Sequence, residues 1–125
     1  MLKINVYDIT GERAILDSDG DLIYNKIVSA LSNNNDVELS FENVTTILSI
    51  FTTSAIGQLY KKFTSDFLNK HLKITHMSPD DLISLKRVNE RAKQFYSSPE
   101  SMTDFLEGEI FDENNNQWRK FIYSW

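Results

Sequence analysis

The feature that most constrains this chain is a repeated change in the spacing of its apolar residues. Alternation at Leu2, Ile4 and Val6 is typical of a half-buried strand, and strand-like alternation returns at 37–41 and at 71–77. Between these segments the apolar residues recur every three or four positions, as on one face of a helix. Strands that alternate with helices predict right-handed crossovers. We therefore expect an α/β fold with a largely parallel or mixed sheet.

The predicted order of elements is β-β-α-β-α-β-α. A turn at 10–13 and a short apolar run at 14–16 predict a hairpin with the first strand. The acidic stretch 17–21, "DSDGD", supplies cap candidates and first-turn acids for the first helix, and the polar run 32–36 ends that helix.

The strongest amphipathic stripe in the chain runs from about Thr52 to Phe67 and predicts the second helix. We expect four apolar residues to pack this helix on the sheet: Phe51, Ile56, Leu59 and Phe63. Ser78 as the N-cap and Pro79 at the first helical position begin the last helix, which continues to position 97.

The length of 125 residues indicates one domain with one core. We expect that domain to span 1–98 and a C-terminal extension to span 99–125. The segment 100–117 carries six acidic residues and no basic one, and the last eight residues are aromatic and slightly basic. The aromatic end can fold back on the domain, or it can dock on a second copy and form a homo-oligomer. Its apolar residues are Trp118, Phe121, Tyr123 and Trp125.

Composition excludes several classes of function. The net charge is −5 and the basic residues are scattered, which argues against nucleic-acid binding. The absence of cysteine excludes disulfides, thiolate catalysis and cysteine-based zinc sites, and it fits a reducing compartment. Without an apolar signal region or a run of about 18 apolar residues, we expect a cytoplasmic protein that does not enter a membrane.

No pattern in the sequence points to an enzyme. The stretch 17–21 resembles a calcium loop only superficially, because Gly20 and Val28 do not match the glycine and glutamate positions of an EF-hand. His71 and His76 are five residues apart on a predicted strand, so their side chains point to opposite faces and form no pair. A phosphate-binding loop and a nucleophile elbow are both absent from the sequence. We expect no catalytic residues, metal or cofactor.

A cluster of hydroxyl residues between the predicted strand and helix is the main candidate site. It comprises Ser49, Thr52, Thr53 and Ser54. Serine and threonine commonly cap helices and also suit strands, so capping and packing explain the cluster without any function. In the functional interpretation, the same turn lies at the carboxyl end of a strand, where open α/β sheets place binding sites. A phosphorylated hydroxyl there would add roughly −1.5 to −2 charges and change how a partner docks.

The stretch "VELSFENVTTILSIFTTSAIGQLYKKF" resembles the central segment of STAS domains, the superfamily of sulfate transporters and anti-sigma-factor antagonists. It is closer to an uncharacterised bacterial STAS-like family, whose pattern Ser49, Phe51, Gly57, Leu59 and Tyr60 match. The similarity covers roughly 10–97. It implies a STAS-like mixed sheet with helices mainly on one face. The extension lies outside the pattern.

The resemblance implies a non-enzymatic regulatory module that binds a protein partner by partner switching. The family's partners include GHKL-type ATPases that act as serine kinases, so such an ATPase is the expected partner. The serine that these kinases modify corresponds to Ile50 here, and the preceding aspartate corresponds to Leu48. Ser49, Thr52, Thr53 and Ser54 therefore remain candidates for a contact or regulatory turn. The alternative is a small-ligand or nucleotide sensor that uses the same turn at 49–54.

Overall fold

The computed structural model describes residues 1–97, 110–112 and 117–119. Its helices are α1 (Tyr7–Thr10), α2 (Asp17–Ser32), α3 (Ser49–Ala55), a 3₁₀ helix (Gly57–Lys61), α4 (Ser65–His71) and α5 (Pro79–Ser97). Its strands are β1 (Leu2–Asn5), β2 (Arg13–Ala14), β3 (Val37–Ser40), β4 (Thr46–Ile47), β5 (Leu72–Thr75), β6 (Ile110–Asp112) and β7 (Gln117–Arg119). Within these ranges, no helix combines the length and the apolar character that crossing a membrane requires.

The main sheet consists of β1, β3 and β5 in that order, and all three strands are parallel. The strand register produces two apolar rows on one face, Leu2–Val37–Leu72 and Ile4–Leu39–Ile74. The row on the other face between them is charged, Lys3–Glu38–Lys73. The alternation in the sequence therefore places the apolar rows on one face of the sheet and the charged row on the opposite face.

The crossovers place the helices on the apolar face of the main sheet. The chain passes from β1 through α2 to β3, and from β3 through α3 and α4 to β5, so both crossovers advance across the sheet in the same direction. Right-handed crossovers that advance in one direction leave their helices on one side. The predicted α/β STAS-like fold is confirmed.

The predicted hairpin between the first two strands is wrong. β2 pairs in parallel with β4, aligning Ala14 with Ile47, and belongs to a separate two-stranded sheet. The chain does turn at Gly11, with a φ of 71°, but α1 intervenes between β1 and β2. Local alternation could not reveal this pairing, because β4 lies more than thirty residues further along the chain.

The single helix predicted from Thr52 to Phe67 is also wrong, because α3, the 3₁₀ helix and α4 divide this segment. Gly57 has a low helix propensity and begins the 3₁₀ helix. Thr64 then starts a new helix by accepting a hydrogen bond from the N–H of Phe67 at 3.1 Å.

The packing residues of this segment nevertheless follow the predicted stripe. Phe51, Ile56 and Leu59 are buried, and Phe63 is half-buried against the core. The ring of Phe51 meets that of Phe41 edge to face, with centroids 6.4 Å apart. Phe51 therefore fixes α3 to the residue that follows β3.

The predicted start of the last helix is confirmed. Ser78 Oγ accepts a hydrogen bond from the N–H of Asp81 at 3.2 Å and donates one to Asp81 Oδ2 at 2.9 Å. Pro79 is the first residue of α5. Of the predicted extension 99–125, only β6 and β7 belong to the described residues, and these two strands pair in antiparallel orientation. The aromatic end beyond β7 lies outside them, so the two predictions for it stay open.

Candidate functional site

Two strand-to-helix turns lie next to each other at the carboxyl ends of β2 and β4. The strands are paired, and the N–H of Leu48 extends the ladder by donating to the carbonyl oxygen of Ala14 at 3.0 Å. β2 leads into α2 through Leu16, and β4 leads into α3 through Leu48, both in extended conformation. The parallel pairing therefore brings the beginnings of α2 and α3 to the same edge of the domain.

Large apolar side chains are exposed at these turns. The exposed fractions are 53% for Leu16, 47% for Leu48 and 53% for Ile50, and Ser49 between the last two is also exposed. We call these four residues the α2–α3 rim. Single exposed apolar residues are ordinary on a protein surface, but a group of them flanking one hydroxyl is typical of an interaction surface.

The remaining hydroxyl residues of the predicted cluster do not share this exposure. Thr52 is 4% exposed and Ser54 is 8% exposed, while Thr53 is half-buried. The hydroxyl of Thr52 donates to the carbonyl oxygen of Ser49 at 3.1 Å. The expectation of an accessible turn from 49 to 54 therefore holds at Ser49 and is wrong at Thr52 and Ser54, because α3 begins three residues earlier than the sequence indicated and turns these side chains inward.

Helix capping does not account for the cluster either. The residue before α3 is Leu48, and no side chain caps the helix there. A hydroxyl at the first helical position, Ser49, cannot take the place of an N-cap side chain. Capping therefore leaves the exposed Ser49 without a structural explanation.

Ser54 joins α3 to α2 through partly buried polar contacts. Its hydroxyl oxygen lies 2.6 Å from Asp21 Oδ1 and 2.8 Å from the carbonyl oxygen of Asp17, so its one proton is shared between these two acceptors. Gln58 Nε2 donates to Asp21 Oδ1 and to the carbonyl oxygen of Ser54, each at 2.8 Å. Because Asp21 is a carboxylate, the two hydrogen bonds that it accepts from Ser54 and Gln58 are charge-assisted and stronger than neutral ones.

Gly20 allows the two helices to approach this closely. A Cβ atom at Gly20 would lie 2.7 Å from Ser54 Cβ and 2.8 Å from the carbonyl oxygen of Phe51. Both distances are below van der Waals contact, and the second involves backbone that cannot easily move. The contact of Gly20 with Ser54 and Phe51 therefore fixes α3 against α2 within one turn of the rim.

Sequence reasoning missed Leu16, Gly20 and Asp21 as parts of the site. Leu16 and Ile50 did carry a signal, since both are apolar residues that fall outside the buried stripes of their helices. Gly20 carried a weaker one, as a glycine inside a helical pattern often marks close packing. Asp21 was interpreted only as a first-turn acid, because its partners lie more than thirty residues away.

The comparisons with known proteins agree with the fold. A family model described as a STAS-like domain of unknown function (DUF4325) matches residues 19–82. The chain belongs to this STAS-like family. The match is narrower than the expected range of 10–97, and it includes the rim residues Leu48, Ser49 and Ile50 but not Leu16. Searches of curated proteins and of solved structures found no match to this STAS-like domain.

The remaining titratable groups do not form a second site around the rim. In the described part of the STAS-like domain, no three His, Asp or Glu side chains are arranged to hold a metal ion. His71 is half-buried at the end of α4, as expected for a histidine beside a helix end, and its Nδ1 lies 2.7 Å from Asp36 Oδ1. His76 is exposed, with a φ of 58°.

Proposed function

We propose that this STAS-like domain is a non-enzymatic regulatory module that binds a protein partner through the α2–α3 rim. The observation that carries the proposal is the exposure of Leu48, Ser49 and Ile50 at the beginning of α3, next to Leu16. Full burial of a leucine or isoleucine side chain contributes about 1.5–3 kcal/mol, and roughly half of each of these three side chains is still exposed, so their further burial supplies the apolar centre of an interface. The lack of cysteine supports a reducing compartment such as the cytoplasm.

The packing behind the rim supports this proposal. Phe51 is fully buried, and Ser54 is bonded to Asp21 across the helix interface. A surface held in one conformation binds with a smaller loss of conformational freedom than a mobile one. The rim is therefore presented on a rigid support.

Ser49 is the residue of the cluster best placed for a regulatory modification. Its side chain is exposed, whereas Thr52 and Ser54 could be modified only if α3 first opened. A phosphate on Ser49 would put roughly −1.5 to −2 charges between Leu48 and Ile50 and would oppose their burial in an apolar interface. A serine kinase of the GHKL ATPase class is the partner that the STAS resemblance favours, and it would release the module by this reaction.

The small-ligand alternative has less support from the geometry. α3 has only seven residues, and the hydroxyls of Thr52 and Ser54 already donate to protein oxygens. Their hydrogen bonds are therefore not directed toward a ligand at the turn.

Quantitative co-purification from the native cells tests the proposal. The bait is the full chain in three forms: unchanged, Ile50→Asp and Ile83→Asp. Ile83 is the matched control, because it is exposed to 55% on α5, compared with 53% for Ile50. We expect a partner that the unchanged bait and Ile83→Asp retain equally and that Ile50→Asp loses by at least about tenfold, equivalent to 1.4 kcal/mol. Equal retention by all three baits would contradict docking through the rim.

The regulatory part has its own measurement. Intact-mass spectrometry of the chain isolated from its native cells should show a species heavier by one phosphate, which disappears in Ser49→Ala and persists in Thr53→Ala. The Ser49→Asp bait should lose the partner as Ile50→Asp does. If Ser49→Asp retains the partner fully, charge at this position does not regulate docking.

A further inference from the structure

A cleft that contains none of the rim residues lies between the outer edge of β1 and one side of α2. Its volume is about 740 Å³. The strand contributes Leu2, Lys3 and Asn5, and the helix contributes Leu22, Lys26 and Ser29. We call this cleft the β1–α2 groove. An open groove between an edge strand and a helix is the shape in which extended peptides bind as an added strand.

The edge of β1 that faces the groove has free main-chain groups. The N–H groups of Leu2 and Val6 donate toward β3, to the carbonyl oxygens of Asp36 at 2.7 Å and of Ser40 at 2.9 Å. Main-chain groups along a strand alternate in direction, so those of Lys3 and Asn5 point away from β3. In the residues that the structure describes, β1 pairs with β3 alone, so this edge has no strand partner.

The walls of the groove are apolar where a peptide side chain would enter. Leu2 is exposed to 42% and Leu22 to 54%, one on the strand and one on the helix. Side chains of an added strand alternate between the two faces of the sheet, so every second peptide residue would contact these leucines.

The charged side chains that line the groove are mostly basic. Lys3 and Lys26 line it, against the single carboxylate of Asp8. Both lysines are exposed, and in the described residues neither forms an ion pair. The groove is therefore locally basic in a chain whose net charge is −5.

We propose that the β1–α2 groove binds an extended segment of a partner protein as a fourth strand beside β1. The segment alternates apolar residues with other residues, and it carries Asp or Glu next to Lys3 and Lys26. This interaction goes beyond the docking proposed for the α2–α3 rim and does not depend on it.

Selection from a phage-displayed library of random nonapeptides on the immobilised full chain tests the preference. We expect the enriched peptides to alternate apolar residues and to contain Asp or Glu. Peptides selected on the Lys26→Glu variant should no longer be enriched in Asp or Glu and should contain Lys or Arg instead. Lys86 is an exposed lysine of α5, so the control variant Lys86→Glu should select the same peptides as the unchanged chain. No enrichment, or enriched peptides that do not respond to Lys26→Glu, would overturn the proposal.

Amide hydrogen exchange measured by NMR tests the mode of binding. The best library peptide should slow exchange of the Lys3 and Asn5 amides by at least about tenfold, as expected when exposed N–H groups enter a sheet. It should do so equally on Ile50→Asp, which separates this surface from the rim. Tight binding without protection of these two amides would show that no strand is added to β1.

A synthetic peptide of residues 104–113 tests whether a segment of this chain, and not of a partner protein, occupies the β1–α2 groove. This part of the chain is acidic and contains apolar residues, so it has the charge that the groove selects. We expect it to compete at least tenfold less well than the best library peptide. If the two compete equally, the occupant is this chain's own segment, and the assignment to a partner protein is wrong.

Discussion

The beginning of α3, Ser49 and Ile50, differs sharply in exposure from the rest of the same seven-residue helix. Ile50 is 53% exposed, while the adjacent Phe51 is fully buried. Ser49 is exposed, while Ser54, five residues later, is bonded to Asp21 inside the contact with α2. The comparison teaches that a short helix can present apolar side chains at its beginning because its remaining residues are packed against the core.

The largest expected effect contrasts the neighbours Phe51 and Ile50. Phe51→Ala removes a fully buried ring that packs edge to face on Phe41, so it should lower the free energy of unfolding by about 3–5 kcal/mol. Ile50→Ala should change it by no more than about 0.5 kcal/mol, since the side chain is already exposed. Urea unfolding followed by circular dichroism measures both. Similar losses for the two variants would mean that the side chain of Ile50 is packed as well.

The next largest effect tests how closely the buried part of α3 approaches α2. Gly20→Ala would place a Cβ atom 2.7 Å from Ser54 Cβ, so we expect a loss of about 1–3 kcal/mol from overpacking. Alanine is intrinsically the better helix former, by about 1 kcal/mol, which makes a loss diagnostic of the contact. The matched control is Asn25→Ala at an exposed position of α2, which should be neutral or slightly stabilising. If Gly20→Ala is also stabilising, the helices are not in close contact.

Serine-to-alanine substitutions compare the loss of the same hydroxyl group at an exposed and at a buried position of α3. Ser54→Ala removes the hydroxyl that donates to Asp21 and should lower the free energy of unfolding by about 1–2 kcal/mol. Ser49→Ala should stay within about 0.5 kcal/mol of the unchanged chain, because its side chain is exposed. Thermal and urea unfolding at the same pH give both values. The contrast fails if Ser49→Ala is the more destabilising of the two.

The smallest effect concerns Tyr24 of α2. The ammonium nitrogen of Lys61 lies over its ring, 5.3 Å from the ring centroid. Burial raises the pKa of Tyr24 above its ordinary value of 10.0. The folded state then binds the Tyr24 hydroxyl proton more tightly than the unfolded state does. The contribution of this group to the free energy of unfolding is therefore fully present below the ordinary pKa of 10.0, and it is lost as the pH rises through the folded pKa. In the described residues, the hydroxyl has no hydrogen-bond partner.

The variant Tyr24→Phe checks this titration. At pH 7 it should be neutral or stabilising by up to about 1 kcal/mol, because it removes a buried hydroxyl that forms no hydrogen bond. Between pH 9.5 and 11 it should lose less stability than the unchanged chain. The difference will not be the whole alkaline loss, because burial also raises the pKa of Tyr60 and Tyr96. A parallel decline of the two proteins would contradict the raised pKa of Tyr24.

The sequence predicted the elements whose signals are local. The strands β1, β3 and β5 and the helices α2 and α5 follow from apolar spacing, and Ser78 and Pro79 follow from capping rules. The pairing of β2 with β4 could not be predicted, since strands of two residues have no periodicity and their partner is distant. The division of the segment after Thr52 was hidden because all three pieces bury their apolar residues in one core.

The candidate site was predictable only in part. Ser49 and the strand-to-helix turn were found from the cluster of hydroxyl residues. The exposure of Leu48 and Ile50, and the burial of Thr52 and Ser54, depend on the helical position at which α3 begins. Because α3 begins at Ser49, residues 52–54 belong to the helix and not to the turn before it, and the side chains of Thr52 and Ser54 lie on its buried face.

Thiol labelling in this cysteine-free chain tests the central claim most directly, namely that α3 exposes its first two residues, Ser49 and Ile50, and buries most of the residues that follow. Ser49→Cys and Thr52→Cys place single thiols in the exposed and the buried part of the helix. Each labelling rate in buffer is divided by the rate of the same variant unfolded in urea. We predict that Ser49→Cys reacts at least about tenfold faster than Thr52→Cys on this scale, because the buried thiol reacts only after local opening. Equal normalised rates would contradict the claim.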